Sequence, residues 1–240
     1  MNIFFLSTIA SVAADLHCDV HRIKMILEST QILYAALDHL NIPMLSFFVF
    51  KDGEAKHLKP YKPTHKHHPS VLWVLGGRSH FQWLLDMALE LCRIHAELRS
   101  NVHLCEHHLK QIDNVSRSLL PEDASPDNWL RRLCDMGIPD KVVESCRSKI
   151  VTKSAPQGCS FGVCCIETDG SVDKGDICTD DVVQSYTSYY AFKAKCKMAM
   201  TWKGSQQVPK AMKRSFGSLL PDKHSLTKED IPRRARVRVE

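Results

Sequence analysis

One stretch of the sequence, Leu16 to Leu33, carries side chains whose types and spacing suit chemistry. The polar ones follow one another at steps of four, three, four and three residues: His17, His21, Lys24, Glu28 and Gln31. On a helix these steps place all five side chains on one face. Two imidazoles that titrate near neutrality, an amine and a carboxylate are groups that general acid–base catalysis uses. The simpler interpretation is the polar side of an ordinary surface helix.

The same stretch contains metal-ligating residue types. His17 and His21 stand four residues apart, with Cys18 and Asp19 between them. Two histidines at this helical spacing can hold one ion such as zinc. No spacing in the chain matches a zinc ribbon, a zinc finger or an H-E-x-x-H helix. A metal-binding helical protein with a His/Cys/Asp site is therefore an alternative prediction, and no other cofactor is expected.

Helices must position these groups. Hydrophobic periodicity predicts helices near 11–40, 70–99, 105–120 and 180–203. In the first helix an apolar side is expected from Ile23, Ile26, Leu27, Thr30, Leu33 and Leu37. Gly76-Gly77 predicts a kink in the second. The predicted fold is all-α. It has a compact helical core of about four main helices at 1–120 and 180–204, an irregular insertion with a short helical pair at 121–179, and a disordered basic tail at 205–240.

A long connection joins the first two predicted helices. Its apolar run, Met44 to Phe50, and the turn at Lys51-Asp52-Gly53 allow a small hairpin. The following segment, HLKPYKPTHKHHPS, is basic and contains three prolines, which excludes regular structure there. It leads into the second helix, so we expect His68 and Ser70 to cap a cleft lined by the polar face of the first helix.

Composition and charge restrict the class of protein. Of the 240 residues, 44% are hydrophobic and 25% are charged, which is typical of globular proteins. From Lys203 to Glu240 ten Lys/Arg and four Asp/Glu give +6, so the remainder carries −1 of the net +5. Ten cysteines without a C-x-x-C pair favour reduced thiols in the cytoplasm or nucleus.

The apolar N-terminus resembles a signal peptide only superficially. No Lys or Arg precedes the apolar run, and a signal peptide normally begins with such a charge. Ile3 to Leu6 are expected to form a short buried strand or an extended lead-in instead. No later stretch is apolar enough to span a bilayer, so no membrane association is predicted.

The last predicted helix combines aromatic and basic side chains. Tyr186 and Tyr190 are followed closely by Lys193 and Lys197. Amines beside aromatic rings are typical of nucleic-acid contacts. Equally, the tyrosines could pack in the core while the lysines are solvated.

Three blocks of the sequence resemble an uncharacterised family found in phages and large DNA viruses. The blocks are HCDVHRIKMILESTQIL, HHPSVLWV with HFQWLLDMALEL, and VVQSYTSYYAFKAKCKMAMTWKGSQQVP. They cover most of residues 1–110 and 180–209. That family is distantly similar to pyrimidine-dimer DNA glycosylases of the endonuclease V type, a small all-helical class. The resemblance implies a DNA-repair protein that excises a damaged pyrimidine through an imine.

The resemblance also implies roles for individual residues. Glu28 would transfer a proton and stabilise the sugar cation, Lys24 would orient Glu28, and His21 would contact a phosphate or the leaving base. The predicted substrate-binding residues are His17, Gln31, His68, Ser70, Tyr186, Tyr190, Lys193 and Lys197. Two positions depart from the pattern. The chain begins Met1-Asn2 where the glycosylases use an N-terminal Thr amine, so the nucleophile is unassigned, and Thr187 replaces an arginine.

These observations predict a DNA-binding protein of the DNA-repair type that acts on duplex DNA, with glycosylase and lyase activity as its favoured chemistry. Besides the metal-binding protein, one further alternative remains. A catalytically inactive helical protein could bind acidic partners through its basic tail, residues 205–240.

Overall fold

A computed structural model describes residues 3–51 and 53–119. Beyond them it describes scattered positions at 131, 134, 135, 137, 139, 141, 165–166, 172–173, 183, 186 and 201–202. The predictions for the rest of the insertion at 121–179, for most of the helix at 180–203 and for the tail at 205–240 lie outside the described residues.

The described part is mostly helical, as the sequence predicts. Its helices are α1 (Ala10–Leu16), α2 (Asp19–His39), α3 (Pro69–Leu75), α4 (Arg78–Arg99) and α5 (Leu104–Leu119). The all-α prediction is wrong in one respect, because antiparallel strands are also present. Strands β1 (Phe47–Lys51) and β2 (Glu54–Leu58) form a hairpin, and β3 (Cys165–Ile166) pairs with β4 (Val172–Asp173).

Two helices that were predicted as single elements are each divided. The second breaks between Leu75 and Arg78, at the glycine pair where a kink was predicted. The first breaks between Leu16 and Asp19, where His17 and Cys18 adopt extended backbone angles. Periodicity alone gives no sign of the break at His17 and Cys18, because apolar and polar residues continue through it at helical spacing.

Helices α2 and α4 form the centre of the described fold. Helix α2 packs against α3, α4 and α5, and α4 also packs against α1, α3 and α5. Because neighbours surround the second half of α2, nearly every residue from Ser29 to Leu37 is buried. Its first half is open on one side. There Ile23 and Leu27, predicted to face the core, are 39% and 38% exposed, so that part of the predicted apolar side is wrong.

The N-terminal residues run along this core without forming a strand. Ile3, Phe4 and Leu6 are buried, and only a tight turn from Leu6 N to Phe4 O interrupts the extended chain. This matches the extended lead-in that the sequence allowed. None of the described helices is long and apolar enough to cross a membrane.

The β1–β2 hairpin projects from the helical core. Gly53 closes the turn with φ +83°, a left-handed conformation that glycine adopts without strain. At its base Phe47 pairs with Leu58; Leu58 is buried, and the Phe47 ring contacts His108 of α5 edge-on. Since a two-stranded hairpin is marginal alone, this base anchors it to the helices.

Candidate functional site

The α1–α2 junction is held by residues from the far end of the chain. Thr201 accepts a backbone hydrogen bond from Asp19 N at 2.9 Å, and its hydroxyl donates to the Asp19 carboxylate at 2.7 Å. The indole of Trp202 donates to the Leu16 carbonyl at 3.1 Å. Arg22 donates to the Asp15 carbonyl at 3.0 Å. Backbone groups released by the helix break are thus satisfied.

Two of the predicted site histidines are buried at this junction. His17 is fully buried and His21 is 3% exposed. The Phe4 ring stacks on His21 with centroids 4.3 Å apart and meets His17 edge-on at 5.9 Å. Tyr186, predicted to bind substrate, is also buried and lies edge-on to Phe4. We call Phe4, His17, His21 and Tyr186 the imidazole cluster.

His17 is a neutral imidazole near pH 7. Its Nδ1 lies 2.6 Å from the Ala13 carbonyl, and since a carbonyl only accepts, Nδ1 carries the proton. Burial lowers the pKa of His17 to about 4; the Ala13 hydrogen bond opposes this shift, and the nearby Arg22 charge adds to it. This histidine therefore helps to close the helix junction.

Lys24 and Glu28 form the outer part of the predicted face. Lys24 Nζ lies 3.3 Å from Glu28 Oε1, and their side chains are 62% and 13% exposed. Glu28 Oε2 is buried and has no hydrogen-bond partner among the described residues. Gln31 is half-buried one turn further along. The structure thus divides the predicted face into a buried imidazole part and a partly open carboxylate–amine part.

The loop that enters α3 contacts the far end of α2. Lys66 pairs with Asp38, and His39 donates a hydrogen bond to the Lys66 carbonyl. Asp38 is ten residues beyond Glu28, which is about 15 Å along a helix. His68 caps α3 by accepting from Ser70 N at 3.2 Å, and Ser70 is buried. These contacts do not favour a cleft that His68 and Ser70 share with Lys24 and Glu28, which stays a prediction.

The remaining predicted contact residues cannot be placed. Tyr190, Lys193 and Lys197 lie outside the described residues. The metal alternative needs a third ligand beside His17 and His21. Within 3–51, 53–119 and the scattered positions, no group of three or more His, Cys, Asp or Glu side chains could hold an ion.

A second polar cluster was missed by sequence reasoning. Tyr34 OH lies 2.8 Å from His108 Nδ1, and Tyr61 OH lies 3.5 Å from the Cys105 thiol. The Tyr34 and Tyr61 rings meet edge-on at 5.9 Å. Burial lowers the pKa of His108 to about 4 and raises the pKa of both tyrosines and of Cys105. The cluster therefore consists of neutral groups. Through it, the chain after the hairpin is attached to α2 and α5.

A groove of about 750 Å³ lies between α1, α4 and α5. None of the predicted site residues lines it. Its cations are already paired, Arg93 with Glu90 and Glu97, and Lys110 with Glu106. Among the described residues, the groove therefore presents no uncompensated cation to a charged ligand.

The surface around the hairpin was also missed as a site. From Ala55 to His68 the chain contains four lysines, four histidines and no acidic residue. Lys56, Lys59 and Lys62 are exposed. On the hairpin itself, Phe48 and Phe50 are 65% and 78% exposed. The composition of the segment was visible in the sequence, but its proximity to exposed rings required the hairpin register.

No protein family, curated protein or solved structure matches the chain. The resemblance to the viral family and to the glycosylases therefore stays a prediction. Function has to follow from the charges, exposures and contacts of the described residues.

Proposed function

We propose that this protein binds DNA and belongs to the DNA-repair type. The observation that supports the proposal is the exposed, acid-free segment from Ala55 to His68, with its four lysines. The hydrogen bond of His39 to the Lys66 carbonyl and the ion pair of Lys66 with Asp38 hold its end against α2. The exposed amines of Lys56, Lys59 and Lys62 suit contact with a phosphate backbone.

The charge of this segment differs from that of the other described surfaces. On α4 and α5 three cations are paired at helical spacing: Arg93 with Glu90, Lys110 with Glu106, and Arg117 with Asp113. Paired cations attract a polyanion less, because their carboxylates repel it. Lys56, Lys59 and Lys62 have no acidic residue between Ala55 and His68 to offset them, so the segment is where phosphate contact is expected.

The test is the salt dependence of binding to labelled duplex DNA, measured by fluorescence anisotropy. Each lost phosphate contact lowers the slope of log affinity against log salt by about 0.9. The triple variant Lys56→Gln, Lys59→Gln, Lys62→Gln should therefore reduce the slope by up to about 3. The matched control removes three paired cations, Arg93→Gln, Lys110→Gln and Arg117→Gln, and should change the slope little. Equal loss in both variants would argue against a localised contact.

A second candidate function is base excision at Glu28. Its Oε1 pairs with Lys24, while its buried Oε2 has no hydrogen-bond partner among the described residues. A carboxylate oxygen that is held in place and unengaged is suited to accept a proton. Lys24 Nζ lies 3.3 Å from Glu28 Oε1, so in this proposal the amine orients the carboxylate. The nucleophile remains unassigned.

Borohydride trapping on abasic and damaged duplex DNA tests this chemistry, because an imine intermediate is reduced to a stable adduct. Glu28→Gln should abolish turnover and leave DNA affinity within a few-fold of the parent. Glu106→Gln is the matched control, since Glu106 also pairs with a lysine four residues away and its side chain is 17% exposed. If the parent protein binds DNA but gives neither adduct nor cleavage, base excision is wrong and DNA binding stands.

A further inference from the structure

The outer face of the β1–β2 hairpin is an exposed aromatic surface. Phe48 and Phe50 are two residues apart on β1, so they point to the same side of the sheet. Their cross-strand neighbours are His57 and Ala55. Single exposed hydrophobic residues are ordinary. Phe48 and Phe50 are 65% and 78% exposed on one face of a two-stranded sheet. An exposed apolar patch of this kind indicates a binding surface.

The geometry of the patch suits planar ligands. Two residues along a strand span about 6.8 Å, so the two rings can each contact a separate, successive base. The His57 ring lies 4.9 Å from the Phe48 ring and is tilted by 33° to it, which enlarges the aromatic surface. Nucleic-acid-binding sheets stack two or three bases on aromatic side chains arranged in this way.

The chemistry around the patch distinguishes between partners. Lys59 and Lys62 follow β2 directly and belong to the acid-free segment, so the partner is expected to be anionic. An anionic membrane would require the exposed His57 imidazole to enter an apolar layer, which is unfavourable for a polar group. A nucleic acid accepts the imidazole as a further stacking surface and supplies phosphates to the lysines.

We infer that the outer face of the hairpin, formed by Phe48, Phe50 and His57, stacks unpaired bases of DNA. Bases in an intact duplex are already stacked on one another, so the preferred DNA is single-stranded or locally unpaired. The inference deepens the proposed DNA binding and rests on it. The lysines of the Ala55–His68 segment hold the backbone, while the two phenylalanines select strands whose base faces are free.

The experiment compares labelled oligothymidylate with a duplex of matched length, using the full chain. Replacing both rings, Phe48→Ala with Phe50→Ala, should weaken oligothymidylate binding by about five-fold or more per ring and change duplex binding by less than about two-fold. Phe48→Tyr with Phe50→Tyr keeps the rings and should restore binding. Leu45→Ala is the matched control, since Leu45 is 73% exposed beside the hairpin but outside its strands. Thermal melting of each variant checks that the fold is retained.

The possible failures are distinguishable. If the parent protein binds neither DNA, the proposed function fails and takes this inference with it. If the parent binds oligothymidylate and the double alanine variant binds it equally well, or loses both DNAs equally, only the stacking role is wrong. Binding to vesicles that contain phosphatidylserine is measured as well, to test the membrane alternative. Ring-dependent binding to them, without ring-dependent binding to oligothymidylate, would replace DNA by a membrane surface and overturn the inference.

Discussion

The α1–α2 junction and the Ala55–His68 segment are both rich in histidine, yet they use it in opposite ways. At the junction His17 and His21 are buried and contact Phe4, and burial holds the pKa of His17 near 4. In the segment His57 and His65 are exposed beside lysines. The same residue type therefore packs in the core in one region and lies exposed to solvent in the other.

The largest expected effect tests the junction as a structural unit. Trp202→Ala should lower the free energy of unfolding by about 3–5 kcal/mol, because a buried ring is lost and the Leu16 carbonyl loses its donor. Urea denaturation measures this change. Trp202→Phe keeps most of the packing and should cost less. A loss below about 1 kcal/mol for the alanine variant would mean that the end of the chain is not needed to hold the junction.

This junction also shows where sequence reasoning reached its limit. The pair Lys24–Glu28 follows from a spacing of four residues, and the hairpin follows from an apolar run and a turn, since both are local signals. At the break, Asp19 and Leu16 form hydrogen bonds with Thr201 and Trp202, which lie more than 180 residues away in the chain. No local pattern encodes such contacts, so the break and the burial of the histidines required the tertiary structure.

The exposed aromatic face of the hairpin could not be predicted from the sequence for a different reason. The apolar residues from Phe47 to Phe50 do not alternate with polar ones, so periodicity does not indicate which side faces the core. The register decides it, by pairing Phe47 with buried Leu58 and leaving Phe48 and Phe50 outside. The lysines were evident in the sequence, whereas the aromatic patch beside them was not.

The next effect is the acid sensitivity of the junction. Burial lowers the pKa of His17 to about 4 from an ordinary value of 6.5. Between these two pH values the unfolded chain binds a proton that the folded chain does not, so stability falls as the pH falls from 6.5 to 4. The contribution of His17 is at most about 3 kcal/mol. Urea denaturation across this range should show a flatter dependence for His17→Gln than for the parent.

Nuclear magnetic resonance of the His17 ring gives an independent check. The ring should stay neutral down to about pH 4 in the folded protein. If the ring titrates near its ordinary pKa, His17 is in contact with solvent. The junction would then not differ from the Ala55–His68 segment in the burial of its histidines.

A smaller effect is expected at the polar cluster that joins the Ala55–His68 segment to α2 and α5. Tyr34→Phe removes the hydroxyl that lies 2.8 Å from His108 Nδ1 and leaves a buried nitrogen without that partner, which should cost about 1–2 kcal/mol. Tyr61→Phe loses only a 3.5 Å contact with the Cys105 thiol and should cost less, since a thiol is a weak hydrogen-bonding group. Thermal or urea denaturation measures both changes. The reverse order would show that the Cys105 side, not the His108 side, fastens the hairpin to the helices.

The smallest effect on stability is expected on the outer face of the β1–β2 hairpin. Phe50→Ala should change the free energy of unfolding by less than about 0.5 kcal/mol, because the ring is 78% exposed and buries little surface. Phe47→Ala, on the inner face of the same strand, removes the ring that contacts His108 and should cost more. Urea denaturation of the two variants compares inner and outer positions of one strand directly. A large loss for Phe50→Ala would mean that the outer ring stabilises the fold, and it would then no longer be available to stack on a base.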